Sequence, residues 1–149
     1  MQQVRGMIRA ELFIPARFVT LLSHLDVLIG LIWDSKKIVQ RCLPIGFSEH
    51  LFQTHHRLFL AGYASSFFLV LVELMTFVSG LTLMSTNVAF ISYVTHAVAT
   101  IMLSYGTRAG WPCGFFWSIF YWCTLLPGCV DLAVAARELK AAARRARTG

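Results

Sequence analysis

The sequence predicts an all-α, polytopic membrane protein: four transmembrane helices in an antiparallel bundle. Three observations carry this. Apolar residues make up 57% of the 149 positions and charged residues only 13%, about half the ~25% that keeps a soluble surface wet. The apolar residues gather in four runs of 18 to 26 residues, and a hydrocarbon core of about 30 Å needs roughly 20 helical residues to cross. The basic residues flank these runs, as topology signals do.

The first run covers about Phe13 to Trp33. It is too long for the apolar core of a signal peptide, and Trp33-Asp34-Ser35-Lys36-Lys37 lacks a small-x-small cleavage pattern, so it reads as a permanent helix. The second run covers 58–83, the third and shortest 88–105, and the fourth 115–136. The residues from Asp34 to Arg57 form the sizeable extramembrane link, and Met84-Ser85-Thr86-Asn87 is a short turn that makes helices two and three antiparallel neighbours. The whole of 1–149 then forms a single membrane domain, ending in a basic tail over 137–149 with Lys140, Arg144, Arg145 and Arg147. The tail is Ala-rich and should continue helix four into the headgroup region, where its cations meet anionic lipid.

The net charge of +6 and isoelectric point near 9.6 do not indicate nucleic acid. No basic stripe alternates with aromatic residues on a soluble domain, so nucleic acid is excluded as a partner and the lipid bilayer is the expected one. Four spans put both termini on one side. That side carries Arg5, Arg9, Arg17, Arg137, Lys140, Arg144, Arg145 and Arg147, against Lys36, Lys37, Arg41, Arg57 and Arg108 on the other. Eight against five predicts cytoplasmic termini. Cys42 and Cys113 then share the opposite, oxidising side, where they are either joined in a disulfide or left as two free thiols. Cys123 and Cys129 read as packing residues within helix four. Trp33, Tyr63, Tyr105, Trp111 and Trp117 mark the interface on the side of the two loops.

Ionisable residues inside the runs are the most informative feature. His24 and Asp26 stand in helix one, Glu73 in helix two, His96 in helix three and Asp131 in helix four. A charge at bilayer depth costs at least ~2.5–3.5 kcal/mol on insertion scales, so such groups turn inward and find partners. Ser66, Glu73, Thr76 and Gly80 fall on one helical stripe, Ser92, His96 and Thr100 on a second, and Thr124, Pro127, Gly128 and Asp131 on a third. Pro127 removes a helical hydrogen bond and should kink helix four. His24 and Asp26 are separated by about 200° around the helix axis, so they cannot face the same neighbour. These groups read as cement for the bundle or for an interface with partner helices. A proton or ion path through the carboxylates and histidines is an alternative, and so is a haem site ligated by His24 and His96. His50, His55 and His56 carry no metal-ligand spacing and read as a solvated face, so no metal or other cofactor is expected. No catalytic motif is present and no enzyme activity is expected.

The order of residues adds a resemblance. Pro15-Ala16-Arg17-Phe18-Val19-Thr20-Leu21-Leu22-Ser23-His24-Leu25, Cys42-Leu43-Pro44, Val72-Glu73-Leu74 and Phe77-Val78-Ser79-Gly80 are followed by Ile91-Ser92 and His96. Trp111-x-Cys113, Trp117-x-Ile119-Phe120, Cys123, Leu126-Pro127 and Asp131 complete the series. Collinear over about 120 residues, they resemble the transmembrane protein 107 family of the ciliary transition zone. The resemblance implies a structural, non-enzymatic scaffold of the Meckel-syndrome module. Such a scaffold assembles with other transition-zone membrane proteins and controls ciliary membrane composition. The chain departs from that pattern at Asp26, where the family is apolar, in the stretch His50 to Arg57, and in its Arg-rich tail.

Overall fold

The computed structural model describes residues 2–82 and 86–148, with side chains over 13–82 and 87–147. The expected turn at Met84 and Ser85 and the side chains of Arg5 and Arg9 lie outside the described residues. Helix α1 runs Gln2–Cys42, α2 Glu49–Val78 and α3 Thr86–Ala109; the fourth rod joins α4 (Cys113–Ile119), a π-helical segment (Phe120–Leu125) and α5 (Leu126–Thr148). Among the described residues, four stretches are long and apolar enough to cross a membrane: Phe13–Cys42, Glu49–Val78, Asn87–Ala109 and Cys113–Arg147. The chain is an all-α, four-helix membrane protein.

The helices outrun the apolar runs at nearly every end. Asp34, Lys36, Lys37 and Arg41 interrupt the apolar run but are good enough helix formers to extend it. Helix α1 therefore stops only before Leu43-Pro44, because proline disfavours helical geometry in its predecessor. Ser48 then caps α2, its Oγ accepting the Leu51 amide at 3.3 Å. The expected long link thus shrinks to residues 43–48, and its former flanks continue the helices, with Ser35 and Val39 buried. His56 bonds Ser35 at 3.3 Å and stacks on Phe52, which ties the start of α2 to the end of α1.

Helix α2 ends earlier than the apolar run suggests. Gly80 adopts φ +78° and Gly110 φ +70°, the left-handed conformation that terminates helices and that glycine enters without steric cost. Gly80 therefore belongs to the turn after α2 and not to a packing stripe.

Helix α1 and the fourth rod each pack against both α2 and α3, which places α2 and α3 across the bundle from one another. The expectation that they lie side by side is thus corrected: their short connection spans a diagonal, and the side chains at the centre bridge it. In the apolar 18-residue stretch of each span only 28–33% of the residues are buried inside the bundle, so most of the apolar surface faces outward, as lipid requires. Leu28, Leu31, Leu103 and Ile119 form a core between the bundle centre and the disulfide end. There Gly62 and Gly106 let tryptophans approach, since a Cβ on either would stand 2.8 Å from the ring of Trp117 or Trp111.

Candidate functional site: a buried polar chain joining four spans

The site begins at Arg17, one turn inside the apolar part of α1 and completely buried. Its Nε donates to Ser92 Oγ of α3 at 3.1 Å, Nη1 to Thr82 Oγ1 at 3.1 Å, and Nη2 to Asp131 Oδ1 of α5 at 2.6 Å. Thr76 of α2 donates to the other oxygen of Asp131. The guanidinium also lies 5.4 Å from the Phe77 ring centroid, a cation–π contact that strengthens where water is absent. One cation therefore engages three other parts of the chain. A buried pair of this kind repays its desolvation only when hydrogen bonds satisfy the remaining donors, and here serine and threonine hydroxyls do so.

Ser92 carries the chain to the bundle centre, donating to Glu73 Oε2 at 3.3 Å. The same oxygen lies 2.9 Å from His96 Nε2, and His96 Nδ1 lies 2.7 Å from His24 Nδ1. Glu73, His96 and His24 are all fully buried. If a neutral His96 donates from Nε2 to Glu73, its Nδ1 is bare and accepts from His24 Nδ1, leaving His24 Nε2 as an acceptor; a protonated His96 instead donates from both nitrogens, to Glu73 and to His24 Nδ1. A neutral His96 that donates from Nδ1 to His24 requires a protonated Glu73. Among the described residues, His24 Nε2 and Glu73 Oε1 have no hydrogen-bond partner. Gly128 gives Glu73 Oε1 its space, since a Cβ there would stand 3.4 Å from that oxygen.

Pro127 and Gly128 are set by the π-helical segment immediately before them, where the Leu126 amide bonds the Tyr121 carbonyl. Proline supplies no amide and its ring crowds the preceding carbonyl, and the wider turn absorbs both effects. The segment turns Cys123 and Thr124 into the bundle, while Cys129 is exposed.

Four of the five intramembrane residues read from the sequence thus meet in one chain: His24, Glu73, His96 and Asp131. Asp26 does not join it and lies on the outer surface of α1. Arg17 is the residue the sequence reading misplaced. It counts there as a cytoplasmic flank, yet it is the cation of the site, so the basic residues outside the spans divide seven against five. A cation four positions inside an apolar run, with one acidic residue available near the same end of helix four, was the signal for it. Thr82 was also missed, because it follows Gly80 in the turn and has no helical periodicity to betray it.

At the opposite end Cys42 and Cys113 form a disulfide, with Cα atoms 5.4 Å apart. Arg41 donates to the Thr107 carbonyl beside it at 3.1 Å. Tyr105, Trp111 and Phe115 pack edge to face around this end. His50 and His55 project from the first turns of α2 and are exposed, apart from His56 in its contact with Ser35. The basic tail is helical, as part of α5, and Lys140, Arg144, Arg145 and Arg147 are exposed along it.

A sequence model of the transmembrane protein 107 family, described as a transmembrane protein, matches residues 13–135. Transmembrane protein 107 of Danio rerio is 34% identical over 119 residues, covering 80% of this chain and 88% of the relative. The protein of the same name from Homo sapiens is 33% identical over 126 residues, covering 85% and 90%. That of Mus musculus is 31% identical over 121 residues, covering 81% and 86%. No solved structure matches the chain. On the extent of these matches, the family model reaching into all four described spans and across every member of the buried polar chain, the protein belongs to the transmembrane protein 107 family.

Proposed function

We propose that the protein is a structural, non-enzymatic scaffold of the ciliary transition zone, which assembles with other membrane proteins there and limits what enters the ciliary membrane. The ciliary setting comes from the family. The observation that carries the scaffold reading is where the polar chain stops. It leads from Asp131 through Arg17, Ser92, Glu73 and His96 to His24, and beyond His24 stand Leu28, Leu31, Leu103 and Ile119. A transport path needs polar or hydrated groups from face to face, whereas this chain ends against packed hydrocarbon. Its geometry also argues against haem, because His24 and His96 bond each other directly and leave no gap for a macrocycle. What remains is a bundle whose spans are locked to one another by buried polar contacts and whose outer faces are offered to lipid and neighbours.

In this reading both termini are cytoplasmic. The disulfide at the other end requires an oxidising compartment, and the basic tail meets the anionic inner leaflet. Fluorescent tagging of the full chain in a ciliated cell tests the setting: signal confined to the ciliary base is expected, and uniform or mitochondrial signal would overturn it. Flux through purified protein reconstituted into vesicles, driven by pH or potential, would restore the transporter reading.

A further inference from the structure

Asp26 and His24 are two positions apart, and they have opposite fates. His24 is buried among the other spans, and Asp26 is exposed on the outer face of α1. That face reads Val19, Leu22, Asp26, Ile29 and Trp33, at alternating intervals of three and four, so the five side chains form one straight stripe along the helix. Helix α1 spends its inner faces on α2 and α3, and among the described residues this one stays exposed.

Asp26 stands close to the bilayer mid-plane. His24 meets His96 near the middle of α3 (Thr86–Ala109), and Asp26 lies only about 3 Å further along α1 at helical rise. No hydrogen bond or ion pair of Asp26 exists among the described residues. Intramembrane carboxylates elsewhere in the chain behave differently: Glu73 and Asp131 both face inward and are both hydrogen-bonded. A carboxyl turned toward hydrocarbon with no partner is the arrangement that membranes penalise most. One turn beyond it, Gly30 opens a notch, with no atom within 4 Å of where its Cβ would stand. Small residues at such places let a second helix come close.

We propose that this stripe docks a transmembrane helix of a different protein, one that presents a lysine or arginine near its midpoint to pair with Asp26. Charge complementarity selects the occupant. A second copy of this chain has no cation to offer at that depth: among the described side chains Arg17 is buried, and the other basic residues flank the spans. The inference deepens the scaffold reading by stating the chemistry of a partner, and it rests on that reading only for its cellular setting.

The full chain, reconstituted into phosphatidylcholine vesicles and labelled at its C-terminus, is titrated with three labelled polyleucine transmembrane peptides carrying lysine, leucine or aspartate at the central position. Resonance energy transfer should show the lysine peptide associating at least tenfold more tightly than the other two. Asp26→Leu should abolish that preference, and Asp26→Lys should transfer it to the aspartate peptide. An intact Cys42–Cys113 bond in each variant verifies the fold, because Asp26 is exposed and makes no hydrogen bond or ion pair among the described residues. Equal binding of all three peptides would overturn the proposal, as would a lysine preference that survives Asp26→Leu. Asp26-dependent energy transfer between copies of the chain would overturn it in favour of self-association. Tagging at the ciliary base bears on the scaffold reading alone, so the two can fail separately.

Discussion

Removing Asp131 should leave Arg17 as an uncompensated cation in the interior of a membrane protein. The pair is short, 2.6 Å, and both side chains are essentially inaccessible. Breaking a buried pair from one side typically costs about 3–5 kcal/mol, because the surviving charge keeps its desolvation penalty. Arg17 retains Ser92, Thr82 and the Phe77 ring in Asp131→Leu, so the lower end, about 3 kcal/mol, applies to that variant. Arg17→Met strips Asp131 of its cation and leaves it the Thr76 hydroxyl alone, which puts its cost toward the upper end. The double variant removes both charges and should be more stable than either single one. The coupling energy should then exceed the larger single loss, about 5 kcal/mol. Reversible unfolding in lipid bicelles measures all four corners of the cycle. Losses that simply add, with a double variant less stable than both singles, would refute the claim that Arg17 and Asp131 form one buried unit.

Glu73→Leu should weaken co-purification with neighbouring membrane proteins from ciliated cells, since it leaves His96 and Ser92 without their acceptor; normal assembly and localisation would remove Glu73 from the account. Replacing Cys42 and Cys113 with serine opens a link across 71 positions and should destabilise the protein by up to ~4 kcal/mol on the chain-entropy model. Mass mapping without reductant that finds both thiols free in membranes from an oxidising compartment would contradict the bond. Gly106→Ala should cost about 1–3 kcal/mol through overpacking, because Trp111 is wedged against Phe115 with centroids 4.1 Å apart; unchanged thermal stability and tryptophan emission would count against that packing. Protease protection in sealed microsomes should find both termini cut from the cytoplasmic side, and termini on opposite faces would defeat the four-span arrangement.

Hydropathy made the number of spans legible, because the length of an apolar run is set by bilayer thickness and little else. It placed the helix ends poorly. Lys36, Lys37 and Arg41 end an apolar run without ending a helix, and only Pro44, Gly46 and the Ser48 cap do that. The inward turning of Glu73, His96 and Asp131 followed from the cost of burying charge in lipid. Their partners did not, since contacts between helices depend on the order of rods around the bundle. The diagonal placement of α2 and α3 is invisible in sequence, yet it is what lets Glu73 and His96 meet across the centre with Arg17 reaching in from α1. Arg17 shows the limit most clearly. A basic residue near the end of an apolar run looks like a flank until a carboxylate on another helix is seen to face it. The opposite turning of His24 and Asp26, by contrast, was fixed by helix geometry alone.

The claim on which the rest depends is that one chain of polar groups, from Asp131 through Arg17 and Glu73 to His24, ties the four spans together. Solid-state NMR on protein in lipid bilayers, labelled in arginine and histidine nitrogens and in aspartate and glutamate carboxyl carbons, reads it directly. Strong dipolar coupling is expected between the Arg17 guanidinium and the Asp131 carboxyl, between His96 and Glu73, and between the His24 and His96 rings. Absence of all three couplings in folded, disulfide-bonded protein would contradict the account.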